Sequence, residues 1–112
     1  AAGIAESRGL KNVLIANHGG DHSIYPDCRP DFINAINEAT KAGTYIDVSV
    51  KAPYTSITKT DIACHGKKLG IDYRETWSCY KGGDCHCGKC GTCVERKEAL
   101  HSAGIEDKTI YE

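Results

Sequence analysis

The sequence predicts an α/β domain with parallel strands, closed by a cysteine-rich knuckle and a last helix. Two apolar runs, KNVLIA (Lys11–Ala16) and TYIDVSV (Thr44–Val50), flank a stretch of helical length with an apolar stripe. Strand–helix–strand order of this kind implies parallel strands joined by a right-handed crossover. The third observation is local: five of the seven cysteines lie between Cys79 and Cys93.

Each element has its own signal. AAGIAESRG reads as a short amphipathic helix stopped by Gly9. Lys11–Ala16 is continuously apolar after its first two residues, which suits a buried parallel strand. NHGGDHSIYPDCR, residues 17–29, is rich in turn formers and reads as the loop at that strand's carboxyl end. Pro30 fits the first turn of a helix that places Phe32, Ile33, Ile36 and Ala39 on one face and stops at Gly43. Thr44–Val50 alternates as a half-buried strand would, and residues 51–57 form a second strand-end loop. Thr58-x-x-Asp61 resembles a capping box, opening a helix that ends at Gly70. A final helix is expected from about Thr92 to Ala103. In open α/β sheets the functional loops gather at the carboxyl ends of the strands, so residues 17–29 and 51–57 should carry the site.

Composition narrows the function classes. A chain of 112 residues is about one domain, with 26% charged residues and a net charge of −1. That balance lacks the basic footprint of a nucleic-acid binder, and no direct nucleic-acid contact is expected. No apolar run approaches the roughly 20 residues that span a bilayer, and the first ten residues carry Glu6, Ser7 and Arg8 in place of a secretory apolar region. A reducing cytoplasm is the expected setting, where clustered cysteines mean metal or catalysis more often than disulfides. The chain has no methionine and opens directly on helical text, which reads as a piece of a longer protein.

Cys87, Cys90 and Cys93 make two overlapping C-x-x-C steps, with Cys79 upstream. Structural zinc takes four soft ligands in a tetrahedron, and Gly82, Gly83, Gly88 and Gly91 supply the tight backbone such a knuckle needs. The set chosen is Cys79, Cys87, Cys90 and Cys93; by spacing, Cys85 could replace Cys79, and His86 is a sixth donor inside the cluster. An iron–sulfur reading is weaker because VERKEAL, not x₃-C-P, follows Cys93. A thioredoxin-like reading fits three stepped cysteines poorly. Four thiolates leave no open position for water, so one zinc per chain would be structural.

Three stretches, SIYPDCRPDFI, APYTSITKTDI and TWSCYKGGDCHCGKCGTCVERKEAL, together resemble the 7-cyano-7-deazaguanine synthase family of queuosine biosynthesis. The resemblance covers about residues 11–100 and implies a three-layer ATP-pyrophosphatase type of fold (adenine nucleotide alpha hydrolase-like). It also implies a reaction: 7-carboxy-7-deazaguanine, ammonia and ATP, with Mg²⁺, yield the nitrile through an adenylate and an amide. Members are zinc-dependent homodimers. Their S-G-G-x-D-S phosphate loop has no counterpart here, Gly19-Gly20-Asp21 being a faint echo, so the chain resembles the C-terminal half of such a ligase. A second departure is HGGDHSI before the Y-P-D-C-R-P hexamer, where His18, His22 and Ile24 alter the expected pocket. The implied organisation is a substrate-binding part over residues 1–76, the knuckle and helix over 77–103, and a tail over 104–112.

On that resemblance Asp21 and Ser23 hydrogen-bond the guanine-like edge, against a bland alternative of a local turn. Tyr25 stacks on the flat ring or simply packs. Asp27 and Arg29 count among the substrate-binding residues, the Arg29 fork suiting a carboxylate or phosphate, or they pair with each other to brace the loop. Lys59, a cation in the first turn of a helix, opposes the helix dipole unless it faces an anion, and is the catalytic candidate. Cys28 and Cys64 read as packing residues; His18, His22, His65 and His101 read as isolated, without a carboxylate partner. Two other readings remain: a zinc knuckle that binds RNA or protein, and an inactive half-synthase kept as a scaffold.

Overall fold

The computed structural model describes residues 1–112 and divides into two compact units, Ala1–Thr58 and Lys59–Glu112. In the first, helix α1 (Ala2–Ser7) leads into strand β1 (Asn12–Leu14), helix α2 (Pro30–Ala42) and strand β2 (Ser49–Lys51). The strands pair in parallel, Asn12 opposite Ser49 and Leu14 opposite Lys51, as the strand–helix–strand order predicts.

The helix stops are legible. After α1, the Gly9 N–H bonds Glu6 O at 2.9 Å and the Leu10 N–H bonds Ala5 O at 2.8 Å. This Schellman pattern needs a left-handed residue, and Gly9 has φ +67°. Helix α2 starts at Pro30, where a missing N–H costs nothing, and rests its buried Ile33 in the unit's interior.

Both strands are shorter than their sequence runs. The expected Thr44–Val50 strand is a turn followed by Ser49–Lys51. Thr44 Oγ1 donates to Thr40 O and accepts from the Val48 N–H, both at 2.9 Å, while Asp47 sits at φ +52°. These local bonds bend the chain before pairing begins, and Tyr45 is left fully exposed. Nor is β1 buried as a continuous apolar run suggests, since Leu14 is 71% exposed. With only two strands, an apolar groove of about 290 Å³ lies open beside Val13, Ile15, Phe32, Ile36 and Val50.

The second unit packs helix α3 (Lys59–Lys68) against helix α4 (Gly91–Ser102). Helix α3 begins one residue after Thr58, where the capping-box spacing places it. A Cβ at Gly66 would overlap the Tyr73 hydroxyl, which donates to Ala63 O at 2.7 Å, so the glycine makes room for the Tyr73 ring against α3. The unit's core is the cysteine cluster itself: Cys79, Cys87 and Cys93 are buried, with Cys90 and Tyr111 packed on them. Residues 110–112 are pinned rather than loose, since the His86 N–H bonds Ile110 O and the Glu112 N–H bonds His86 O. No helix is long and apolar enough to cross a membrane.

Candidate functional site

In the first unit the loops after β1 and β2 are tied together by Asn17, which is 6% exposed. Its Nδ2 donates to Cys28 O at 2.8 Å and to Thr55 Oγ1 at 3.1 Å. The Gly19 N–H bonds Ile57 O at 2.9 Å, and a Cβ there would lie 3.2 Å from that oxygen. Buried polar groups need partners, so one buried amide fixes both candidate loops at once. Asn17 was not singled out from the sequence; its position at the mouth of a strand-end loop is the only signal it carries.

The candidate binding residues fall on this braced segment. Asp21 ends a 3₁₀ turn, Gly19–Asp21, and is half buried. Ser23, Tyr25 and Asp27 are exposed, with Tyr25 49% exposed. Arg29 donates its Nε to His22 O at 2.8 Å, so its brace is to a backbone carbonyl and not to Asp27. The Cys28 thiol is pushed up by burial and then by the charges of Asp27 and Asp21, the opposite of an activated nucleophile. His18 corrects the sequence reading. It is buried, caps the 3₁₀ turn by accepting the Gly20 N–H, and stands 3.1 Å from the Asp21 carboxylate. His-x-x-Asp spacing was the signal available. His22 also has a buried Nε2 without a hydrogen-bond partner.

In the second unit, Lys59 opens α3 and its ammonium pairs with the Glu95 carboxylate on α4. Lys59 also lines a cavity of about 340 Å³ with Ile62, Tyr73, Tyr80, Arg96 and Leu100. Arg96 is the functional-looking residue that the sequence concealed. It is 8% exposed and donates to Thr109 Oγ1 (2.9 Å), Thr76 Oγ1 (2.8 Å), Ser78 Oγ (3.3 Å) and Tyr73 O. All four acceptors are neutral, so the guanidinium works as a rigid fork that ties two stretches, residues 73–78 and Thr109, to α4.

The sulfur atoms of Cys79, Cys87, Cys90 and Cys93 lie within 4.8 Å of one another. A zinc tetrahedron with Zn–S near 2.3 Å requires sulfurs about 3.8 Å apart, so small adjustments suffice. Cys85 is outside this group, and His86 is turned to other work. Its ring packs 4.2 Å from Trp77 and its Nε2 accepts the Ser78 N–H, while burial and then Arg96 hold its pKa down. Backbone N–H groups point at the sulfurs: Cys87 N–H at Cys79 (3.4 Å), and Lys89 and Cys90 N–H at Cys87 (3.5 and 3.3 Å). Gly88, at φ +66°, turns the chain so that these donors converge.

The titration of the cluster also fits a cation. The Thr92 hydroxyl, 3.3 Å from Cys90 Sγ, leads the groups that bring Cys90 down to about 5, and the Cys87 N–H leads those that lower Cys79. Burial, with the neighbouring thiols, drives Cys93 up to about 12. Four sulfurs this close, three of them on buried residues, cannot all ionise side by side unless a divalent ion neutralises them, and thiolates are what zinc selects.

A family model described as queuosine biosynthesis protein QueC matches residues 1–104. Among curated proteins, the chain is 69% identical over its whole length to a 7-cyano-7-deazaguanine synthase of Porphyromonas gingivalis, covering 51% of that protein. It is 51% identical to the synthase of Brucella anthropi, covering 49% of it, and 53% identical to that of Allorhizobium ampelinum, covering 48%. The chain thus spans about half the length of the curated relatives it matches. With a parallel strand–helix–strand unit, a Y-P-D-C-R-P loop and a four-cysteine cluster in one match, the chain belongs to the queuosine biosynthesis protein QueC family.

Proposed function

We propose that this chain is part of an ATP-dependent ligase that converts 7-carboxy-7-deazaguanine and ammonia to 7-cyano-7-deazaguanine. The observation that carries the reading is the four-sulfur cluster, gathered within 4.8 Å, in a chain that the family model matches over residues 1–104. ATP, with Mg²⁺, activates the substrate carboxylate as an adenylate and releases pyrophosphate. Ammonia displaces AMP to give the amide; a second ATP adenylates the amide oxygen with release of pyrophosphate, and loss of AMP and the two amide protons forms the nitrile.

Residues 1–76 carry the substrate side, 77–103 the metal knuckle and its helix, and 104–112 the tail. Asp21 and Ser23 bind the donor edge of the base, and Tyr25, half exposed, offers its ring face. Asp27 and Arg29 bracket the Cys28 position; the Arg29 fork keeps terminal nitrogens for an anion after its Nε is spent on His22 O. Lys59 is the catalytic cation, released from Glu95 toward phosphate or the adenylated carboxyl oxygen. Zinc on Cys79, Cys87, Cys90 and Cys93 supplies a structural crosslink; the closed shell leaves no site for a reacting atom.

The three-layer ATP-pyrophosphatase fold belongs to this proposal as well. Its support is the open groove beside Val13, Phe32 and Val50 and the exposed Leu14, surfaces that further strands and helices would cover. The homodimer rests on the family resemblance alone, and the cytoplasmic setting on that resemblance and on the clustered cysteines. The test is to incubate the full-length protein with 7-carboxy-7-deazaguanine, ammonia and Mg-ATP. Nitrile should appear with AMP and pyrophosphate, and a protein that consumes ATP with the acid yet forms neither amide nor nitrile would overturn the reading.

A further inference from the structure

His18 and Asp21 stand three residues apart, at the cap and the end of the 3₁₀ turn Gly19–Asp21. His18 is more than nine-tenths buried, at 8% exposure. Its Nδ1 accepts the Gly20 N–H at 3.1 Å and therefore carries no proton, so the neutral ring keeps its hydrogen on Nε2. That nitrogen lies 3.1 Å from Asp21 Oδ2, within hydrogen-bond distance but off-line, and it makes no other hydrogen bond. A buried donor with one charged neighbour is satisfied by a small rotation of that carboxylate. The turn itself does not move, because the Gly19 N–H is fixed to Ile57 O and Asn17 ties the same segment to Thr55.

We propose that His18 is a positioning residue for Asp21. Its Nε2–H holds Oδ2 and sets the rotation of the carboxylate, whose remaining lone pairs then face the paired N–H donors of a guanine-type edge. The imidazole neither gives nor takes a proton; it orients. This rests on the reading of Asp21 as a base-binding residue.

Two near-isosteres separate the two nitrogens. His18→Asn keeps an acceptor near the Nδ1 position for the Gly20 N–H and removes the donor to Asp21. His18→Gln does the reverse. Calorimetric titration of the full-length protein with 7-carboxy-7-deazaguanine should show binding weakened about tenfold in His18→Asn at unchanged Tm, the loss expected for one hydrogen bond to a charge. His18→Gln should bind within about threefold of the parent, since it keeps that bond. The opposite pattern, full affinity in His18→Asn and loss in His18→Gln, overturns the proposal and leaves His18 as a turn cap. Asp21→Asn in the same series separates the two readings. If it binds as the parent does, the base-binding role of Asp21 fails first; if it weakens while His18→Asn does not, only the positioning role fails. Nitrogen-15 histidine NMR of the unsubstituted protein reads the same contact without a folding risk in His18. The His18 Nε2 signal should be protonated and should move in Asp21→Asn, and a signal indifferent to that change counts against the pair.

Discussion

The ammonium of Lys59, in the first turn of α3, is paired with the carboxylate of Glu95 on α4, two residues beyond the buried Cys93. The pair resolves the oddity of a cation at a helix N-terminus: a carboxylate from the neighbouring helix offsets the unfavourable dipole. It also connects the candidate catalytic lysine to the helix that the metal knuckle anchors.

Both side chains of that pair are more than a third exposed, 37% and 43%, so solvent screens them. Glu95→Gln should therefore cost about 0–1 kcal/mol of stability, read as a small change in Tm. Lys59→Met should cost as little stability but abolish nitrile formation. A Lys59→Met protein that retains turnover would remove Lys59 from the mechanism.

The knuckle behaves differently, because its sulfurs are the core of the second unit. Cys93 is fully buried, and replacing it with serine leaves a three-ligand site in the middle of that core. Metal content should fall from one ion per chain to a small fraction, with several kcal/mol of stability, since structural zinc binding is also folding energy. A chelator should have the same effect on the unsubstituted chain. Elemental analysis with thermal denaturation checks both, and a Cys93→Ser chain with full zinc and unchanged Tm would refute the ligand set.

Arg96 donates to four neutral acceptors from a nearly sealed position. Arg96→Lys keeps the charge but loses the fork, stranding acceptors on Thr76, Thr109 and Tyr73. The expected cost is about 2–4 kcal/mol, measured by urea denaturation. A loss within the range of an ordinary surface substitution would mean that water replaces the fork without penalty.

Tyr111 donates to Asp107 Oδ2 at 2.6 Å, and the two titrate in opposite directions. Burial and then the Asp107 bond raise Tyr111 from an ordinary value of 10 to about 12. Its stabilising contribution is present below pH 10 and is lost as pH rises through 12. At Asp107, burial pulls upward but the Thr109 and Tyr111 bonds outweigh it, so its pKa is lowered. That contribution is present above the ordinary carboxylate value and is lost as pH falls below about 4. Tyr111→Phe should flatten the alkaline loss in a pH–stability series while leaving α4 helical by circular dichroism.

Much of this was legible in residues 1–112 because it is local. Gly9, Pro30 and Gly70 mark helix ends through backbone rules that act over one turn. The C-x-x-C steps bring sulfurs together through tight turns of the same range. Strand lengths were misread because alternation in Thr44–Val50 says nothing of the Thr44 hydroxyl bonds that bend the chain first. His18 was misread as isolated because a three-residue separation pairs side chains only once a 3₁₀ turn forms.

The sequence by itself determined the parallel strand–helix–strand order, the helix limits and the stepped trio Cys87, Cys90 and Cys93, since each depends on spacing along a few residues; that Cys79 and not Cys85 joins the trio is a matter of the folded chain. Only the tertiary structure decided that Lys59 meets Glu95, that Arg96 is buried among neutral acceptors, and that Asn17 bridges Cys28 to Thr55. Those partners lie 11 to 38 residues apart. Hydrogen bonds and ion pairs over such separations form where packing brings elements together, and no periodicity in the chain encodes them.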